Sequence, residues 1–266
     1  MDREALSFFN LQSIPFSKEI PVSDFMDFGS ADFTYKSLLS LINTKGVGVL
    51  TGKSGSGKSC LVRKIFAGLN RGLFKPVYIC HTSVSLVEFY SHLSVSLGIE
   101  PVGRRSAMFR MIKERVISLN KNNKVHPFLV IDEAHLLKND ILQELRLLLN
   151  FEIDSLNAIT ILLCGQPSLE YKFSLSILEP LVNSITYFLK LDGLKEEETY
   201  TYIESRISKS GNSGILFTKN AMKLIHSASA GILRTINNIS NASLIKAFQM
   251  KSQTVEAEHV NMVISR

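Results

Sequence analysis

Eight consecutive residues, Gly52-Lys53-Ser54-Gly55-Ser56-Gly57-Lys58-Ser59, constrain this chain more than any other stretch. They fit G-x-x-x-x-G-K-[ST], a loop that wraps phosphate between a strand and a helix. Both neighbours supply that context. Gly46-Val47-Gly48-Val49-Leu50-Thr51 is short, apolar and β-branched, as a buried strand is. After the loop, Leu61, Ile65 and Leu69 recur at helical spacing, with Val62 and Phe66 beside them. Glycines let the backbone close round a polyphosphate with several N–H groups turned inward. The following helix adds the positive end of its dipole. In such a loop Lys58 neutralises the β- and γ-phosphates and the Ser59 hydroxyl ligates Mg²⁺. Gly52 to Cys60 is therefore the candidate ATP-binding stretch.

A second element supports the first. Phe128-Leu129-Val130-Ile131-Asp132-Glu133 is an apolar strand ending in two acids. An acid at that place holds Mg²⁺ through water, the role assigned to Asp132. Glu133 is then placed to polarise the attacking water as general base. Taken alone, the two acids also suit a helix N-cap and first turn before Leu136-Leu137; the phosphate loop decides between the readings. The letters Asp132-Glu133-Ala134-His135 also occur in helicases. With 266 residues, however, the chain is short for two helicase cores, and no other helicase motif is present.

Composition narrows the class. With 45% hydrophobic and 20% charged residues, the chain is an ordinary soluble globule. No apolar run approaches the ~18 residues of a membrane helix. The start, Met1-Asp2-Arg3-Glu4, has no basic-then-apolar signal profile. Cys60, Cys80 and Cys164 lie in apolar contexts and read as reduced core thiols of a cytoplasmic protein. His81, His92, His126, His226 and His259 show no metal-ligand spacing and read as surface or satisfied core. The net charge of +6 favours a polyanionic partner, and the excess is uneven. Arg104, Arg105, Arg110, Lys113, Arg115, Lys121 and Lys124 face only Glu114, while Met108, Phe109, Ile112, Val116 and Leu119 interleave at helical spacing. This is an amphipathic helix whose basic face is either simply solvated or a contact for DNA phosphates.

Alternation of strand and helix signals from residue 46 to 190 predicts an α/β core, a parallel sheet flanked by helices. Strands are expected near 46–51, 76–80, 127–132, 158–164 and 184–190, and helices over 33–43, 58–70, 85–97, 105–120, 139–150 and 175–181. After Gly193 the strand signals stop, and helices near 195–209, 218–228, 232–250 and 256–264 make a small helical lid. The expected division is an N-terminal segment at 1–30 packing on the core, a nucleotide-binding core at 31–192, and the lid at 193–266.

Two further positions suit nucleotide sensing. Ile161-Leu162-Leu163-Cys164-Gly165-Gln166 puts Gln166 at a strand end, where a polar residue positions the lytic water. It reads equally as a turn residue before Pro167. Gly231-Ile232-Leu233-Arg234 starts a lid helix, so Arg234 is either a γ-phosphate sensor or an exposed helix-start arginine.

Together the phosphate loop, Asp132-Glu133, Cys164-Gly165-Gln166-Pro167, Gly231-Ile232-Leu233-Arg234 and the helical lid resemble an AAA+ ATPase. Phe9, Ile14-Pro15-Phe16, the strand at 46–52, Leu145-Arg146-Leu147-Leu148-Leu149-Asn150-Phe151 and Gly165-Gln166-Pro167 are similar to its ExeA-like branch. That branch spans secretion ATPases and the TniB-, TnsC- and MuB-related ATPases of mobile elements. The resemblance implies ATP-dependent self-assembly into a ring or filament, with neighbouring subunits completing each site. It implies that Pro15 and Phe16 border the adenine, although core packing explains them equally well. By analogy with the mobile-element relatives, the ATP-bound protein coats duplex DNA through Arg104, Arg105, Arg110, Lys113, Lys121 and Lys124 and recruits a DDE transposase.

One departure bears on rate. Many relatives carry arginines just before the last core strand, where this chain has Leu181-Val182-Asn183-Ser184-Ile185. Without those fingers, hydrolysis is expected to be slow, with Arg146 as the candidate substitute. The transposition reading leads. A secretion ATPase is the main rival, disfavoured because no membrane span or cell-wall region follows before Arg266. A nucleotide switch that scarcely hydrolyses ATP is a third reading. A replication initiator or loader comes last, because no DNA-binding domain follows the lid.

Overall fold

The computed structural model describes residues 3–25, 29–153 and 155–265. In chain order the elements are α1 (Arg3–Phe8), α2 (Gly29–Thr44), β1 (Val47–Thr51), α3 (Lys58–Gly68), β2 (Phe74–Ile79), α4 (Leu86–Leu97) and α5 (Arg105–Lys121). There follow β3 (His126–Ile131), α6 (Asn139–Leu149), β4 (Thr160–Gly165), α7 (Ser168–Phe173), α8 (Glu179–Val182) and β5 (Ile185–Lys190). The tail is helical: α9 (Glu196–Lys209), α10 (Lys219–Ser229), α11 (Leu233–Gln249) and α12 (Ala257–Ile264).

The chain forms two compact units. One consists of Gly29–Ser54 and Lys58–Leu191. The other consists of the described residues of Met1–Phe28, Gly55–Gly57 and Asp192–Arg266.

The first unit is a five-stranded sheet in the order β2-β3-β4-β1-β5, with every neighbouring pair parallel. Parallel strands need crossover helices, which cover both faces, so the inner strands must be apolar on both sides. β1, β3 and β4 meet that demand, being buried at every residue. Alternation divides their side chains. Leu129, Ile131, Ile161 and Leu163 pack with Phe89 of α4, Met108 and Ile112 of α5 and Leu145 of α6. Phe128, Val130, Leu162 and Leu50 pack with Leu38 and Leu41 of α2 and Leu61 and Ile65 of α3. α4 carries a reciprocal cap, in which Ser85 accepts from the Glu88 N–H and the Glu88 carboxylate accepts from the Ser85 N–H. This is the α/β sheet that the sequence predicts. The helix expected at 175–181 is a 3₁₀ turn over Ser176–Leu178 running into α8, and α1 and α7 were not anticipated.

The second unit is helical, with one isolated bridge between Phe217 and Val255 among its described residues. Phe9, Leu11 and Phe16 are buried with Tyr202, Ile203, Phe217, Met222, Ile236 and Val260. The sequence reading places the N-terminal segment on the sheet-bearing core; the structure counts it with the helical unit. Its polar links agree. Arg206 of α9 is buried and donates to the carbonyls of Pro15 and Ser17, and Asn241 of α11 donates to that of Phe16. Residues 1, 2 and 26–28 of the expected segment lie outside the described residues.

Among the described residues no helix is long and apolar enough to cross a membrane. All three cysteines are free, but only Cys164 is buried. Cys80, read from sequence as a core thiol, is exposed because β2 ends one residue earlier.

Candidate nucleotide site

The phosphate loop leaves β1 and enters α3, as its chemistry requires. Gly55 and Gly57 both have left-handed backbone, with φ of 81° and 108°, a conformation that a side chain would strain. The Lys58 side chain is buried, and its ammonium donates to the carbonyls of Gly52 and Lys53 at 2.7 and 3.1 Å. A buried ammonium survives only with such partners, and they hold its charge within the curl of the loop. The Gly52 N–H in turn donates to the Gly165 carbonyl, fixing the loop entrance to the end of β4. The Ser56 hydroxyl is buried with no hydrogen-bond partner among the described residues. A close backbone curl, an inward cation and an unsatisfied buried hydroxyl fit a polyphosphate.

Asp132 and Glu133 have opposite environments. Asp132 is 5% exposed, whereas the Glu133 side chain is 47% exposed. Both oxygens of the Asp132 carboxylate are engaged. Oδ1 accepts from the Glu133 N–H at 2.9 Å, and Oδ2 accepts from Ser59 at 3.3 Å and from the Tyr78 hydroxyl at 2.7 Å. Burial, reinforced by the Asp132 contact, raises the Tyr78 phenol above its ordinary pKa, so it remains a donor. Glu133 adopts left-handed backbone, φ 52° and ψ 33°, which turns the chain out of the strand line. Such a conformation costs about 1–3 kcal/mol unless its surroundings impose it. Here Thr82, itself buried, donates to the Glu133 carbonyl at 3.0 Å.

His135 brings the last piece together. Its Nδ1 lies 3.4 Å from Glu133 Oε2 and accepts from the Gln166 N–H at 3.4 Å. The strand end that bears Gln166 is therefore tied to the segment that bears Glu133. Tyr78, Thr82 and His135 escaped the sequence reading. Only His135 lies in a recognised motif; Tyr78 sits near the end of β2 and Thr82 three residues beyond it, 54 and 51 residues from their partners.

The remaining candidates divide. In the helical unit, the Arg234 N–H donates to the Gly55 carbonyl at 3.2 Å. A methyl on Gly55 would lie 2.6 Å from Arg234 Cβ, so glycine is what permits this approach. Phe16 is 3% exposed and meets the Phe217 ring edge-on, a core residue rather than an open adenine platform. Pro15 is likewise buried.

The basic run forms α5 as expected, but its charges have local work. Arg105 pairs with Glu144, Arg110 with Glu114, and Lys121 with Glu152. Lys113 donates to the Asn150 carbonyl and lies over the Phe109 and Phe151 rings; burial lowers its pKa. Arg105 stands in the first turn, against the helix dipole, where the Glu144 carboxylate offsets the repulsion. Arg104 and Lys124 have no such tie among the described residues. Arg105, Lys113 and Lys121 thus fasten α5 to α6 and the segment after it, whereas Arg110 pairs within α5.

A parallel sheet in this order, a phosphate loop after β1 and paired acids after β3 define the class: the fold is that of an AAA+ P-loop ATPase. Residues 42–173 match the family model described as AAA domain. General secretion pathway protein A of Aeromonas hydrophila is 27% identical over 255 residues, covering 93% of this chain and 46% of that protein. The chain thus spans about half the length of that curated relative. Among solved structures, Cdc6p from Pyrobaculum aerophilum superposes with a TM-score of 0.70 at 17% identity, covering 93% of this chain and 69% of that one. The Aeropyrum pernix ORC1 protein in complex with DNA gives 0.68 at 15%, covering 94% and 68%. The Thermotoga maritima RuvB Holliday junction branch migration motor gives 0.59 at 17%, covering 89% and 69%. At these identities the structural likenesses establish the fold alone.

Proposed function

We propose that this chain is an assembly ATPase, in which Mg-ATP binding and slow hydrolysis time the making and breaking of an oligomer of the protein. The observation that carries the reading is the division of labour between two adjacent acids. Asp132 is buried and bonded to Ser59, the arrangement a metal-holding pair requires. Glu133 is turned out of the strand and half exposed, where a general base can meet water. Lys58 would hold the β- and γ-phosphates, with Gly52 to Cys60 curled round them. Mg²⁺ would sit between Ser59 and Asp132, supplying charge neutralisation at the phosphates. Gln166 and Arg234 are the proposed sensors. The domain roles follow: a nucleotide-binding core at 31–192 and a lid at 193–266. Slow hydrolysis is supported by the stretch before β5. Val182 is half-buried and Ser184 bonds back to the Leu181 carbonyl, leaving Arg146 of α6 as the proposed finger toward a neighbour.

The machinery served is proposed to be a secretion system, on the similarity to General secretion pathway protein A across 93% of the chain. A second reading has the oligomer assemble on duplex DNA and recruit a DDE transposase. The basic run and the DNA complex of the ORC1 neighbour favour DNA contact. The local engagement of Arg105, Arg110, Lys113 and Lys121 weighs against it.

The nucleotide reading is tested by equilibrium binding and turnover. Lys58→Ala should abolish ATP binding. Glu133→Gln should retain binding and lose roughly a hundredfold or more in turnover, the range of a general base. Undiminished ATP affinity in Lys58→Ala would rule the site out.

A further inference from the structure

We infer that Tyr78 is a positioning residue for the divalent cation: with the Glu133 N–H it clamps the Asp132 carboxylate so that Ser59 and a metal-bound water meet it in one fixed orientation. The inference rests on the Mg-ATP reading above. A carboxylate has two oxygens and about four acceptor positions. Three are taken here: one by the Glu133 N–H on Oδ1, and two on Oδ2 by Ser59 and Tyr78. One remains for the metal's water. The Tyr78 bond is the shortest of the three and comes from a different strand. Without it, Oδ2 keeps only the longer Ser59 bond, at 3.3 Å, and the carboxylate is less firmly oriented.

The geometry that brings Tyr78 there is rigid. Tyr78 lies in β2 opposite Val130 of β3, and the Asp132 N–H donates to the Ile79 carbonyl. Tyr78 and Asp132 therefore project from the same sheet face, one strand apart. The Tyr78 ring stands edge-on to Phe66 of α3, which also meets Phe128 edge-on. α3 is the helix that carries Lys58 and Ser59. The phenol is thus braced by the phosphate-loop helix while its hydroxyl reaches the acid. Tyr78 is 43% exposed, so its ring is only partly packed, and its hydroxyl is the part of the side chain that reaches Asp132.

Tyr78→Phe removes the hydroxyl and keeps the ring. Binding of a fluorescent ATP analogue is titrated with Mg²⁺, and also followed in chelator without metal. A hydrogen bond to a charged acceptor of this kind predicts that Tyr78→Phe raises the half-saturating Mg²⁺ concentration by about tenfold. Metal-free nucleotide affinity should stay where it is in the wild type. In an Asp132→Asn background, Tyr78→Phe should have no further effect on the Mg²⁺ requirement, because the clamped charge is gone. An unchanged Mg²⁺ requirement, or a parallel fall in metal-free affinity, overturns the inference and reduces Tyr78 to a packing residue. A wild type whose nucleotide binding ignores Mg²⁺ removes the metal reading and this inference with it.

Discussion

Gly231→Ala should strongly destabilise the helical unit. Gly231 has φ of 74°, and a Cβ built on it would lie 2.1 Å from the Leu194 carbonyl oxygen and 2.6 Å from the Leu194 nitrogen. Ordinary contact begins at 3.4 Å, so a backbone segment must move by more than an ångström. That segment is not free to move, because the Leu194 N–H donates to the Gly231 carbonyl at 2.9 Å. Left-handed backbone in alanine costs about 1–2 kcal/mol. Forced displacement adds about 1–3 kcal/mol, and loss of the hydrogen bond about 1 kcal/mol. The total, roughly 3–6 kcal/mol, is a large share of the 5–15 kcal/mol that typical domains possess. Urea denaturation followed by helical circular dichroism should show the midpoint falling by more than about 1 M, taking m near 2 kcal/mol/M. Gly103→Ala is the control, since nothing lies within 4 Å of its added Cβ. Equal midpoints for the two variants would refute the steric argument. Arg234, three residues on, should lose its place beside Gly55 in the same variant, lowering ATP turnover.

Two further predictions concern pH and charge. Burial, with Lys45 adding to it, lowers His126 from its ordinary 6.5 to about 4, and neutral His126 bridges Asn120 and Thr160. The unfolded chain takes up the proton first, so stability is whole above about pH 6.5 and is lost as pH falls toward 4; going from pH 7 to 5 should cost up to about 2 kcal/mol. His126→Gln should flatten that part of the stability profile, and an unaltered slope would exclude His126 as its source. Lys121→Ala should leave any ATP-dependent retention of duplex DNA unchanged, because Lys121 already pairs with Glu152. Weaker binding to every sequence, with a salt slope reduced by about one, would instead restore the DNA reading.

The elements that were legible in the sequence are those governed by local rules. The phosphate loop needs glycines, a lysine and a serine in consecutive places, and Gly55 and Gly57 carry the positive φ that such a curl demands. The apolar runs at 46–51, 127–132 and 158–164 became fully buried strands because a sheet covered on both faces requires it. The amphipathic period of residues 105–120 named α5 for the same kind of reason: Met108, Ile112, Val116 and Leu119 recur on one face and are buried.

Tertiary structure decided how those parts are used. A run of like charges reads equally as a solvated face or a phosphate contact, and nothing in it foretells Glu144, Asn150 and Glu152, 31 to 39 residues away, that packing brings against it. Phe16 resembles an adenine-bordering residue until α9, α10 and α11 enclose it. Tyr78 has no sequence signature, because its meaning depends on strand register, which sets β2 beside β3 and carries a phenol to Asp132. Charge and periodicity are written along the chain. The partner that satisfies a charge, or the face that buries a ring, is fixed only by long-range packing.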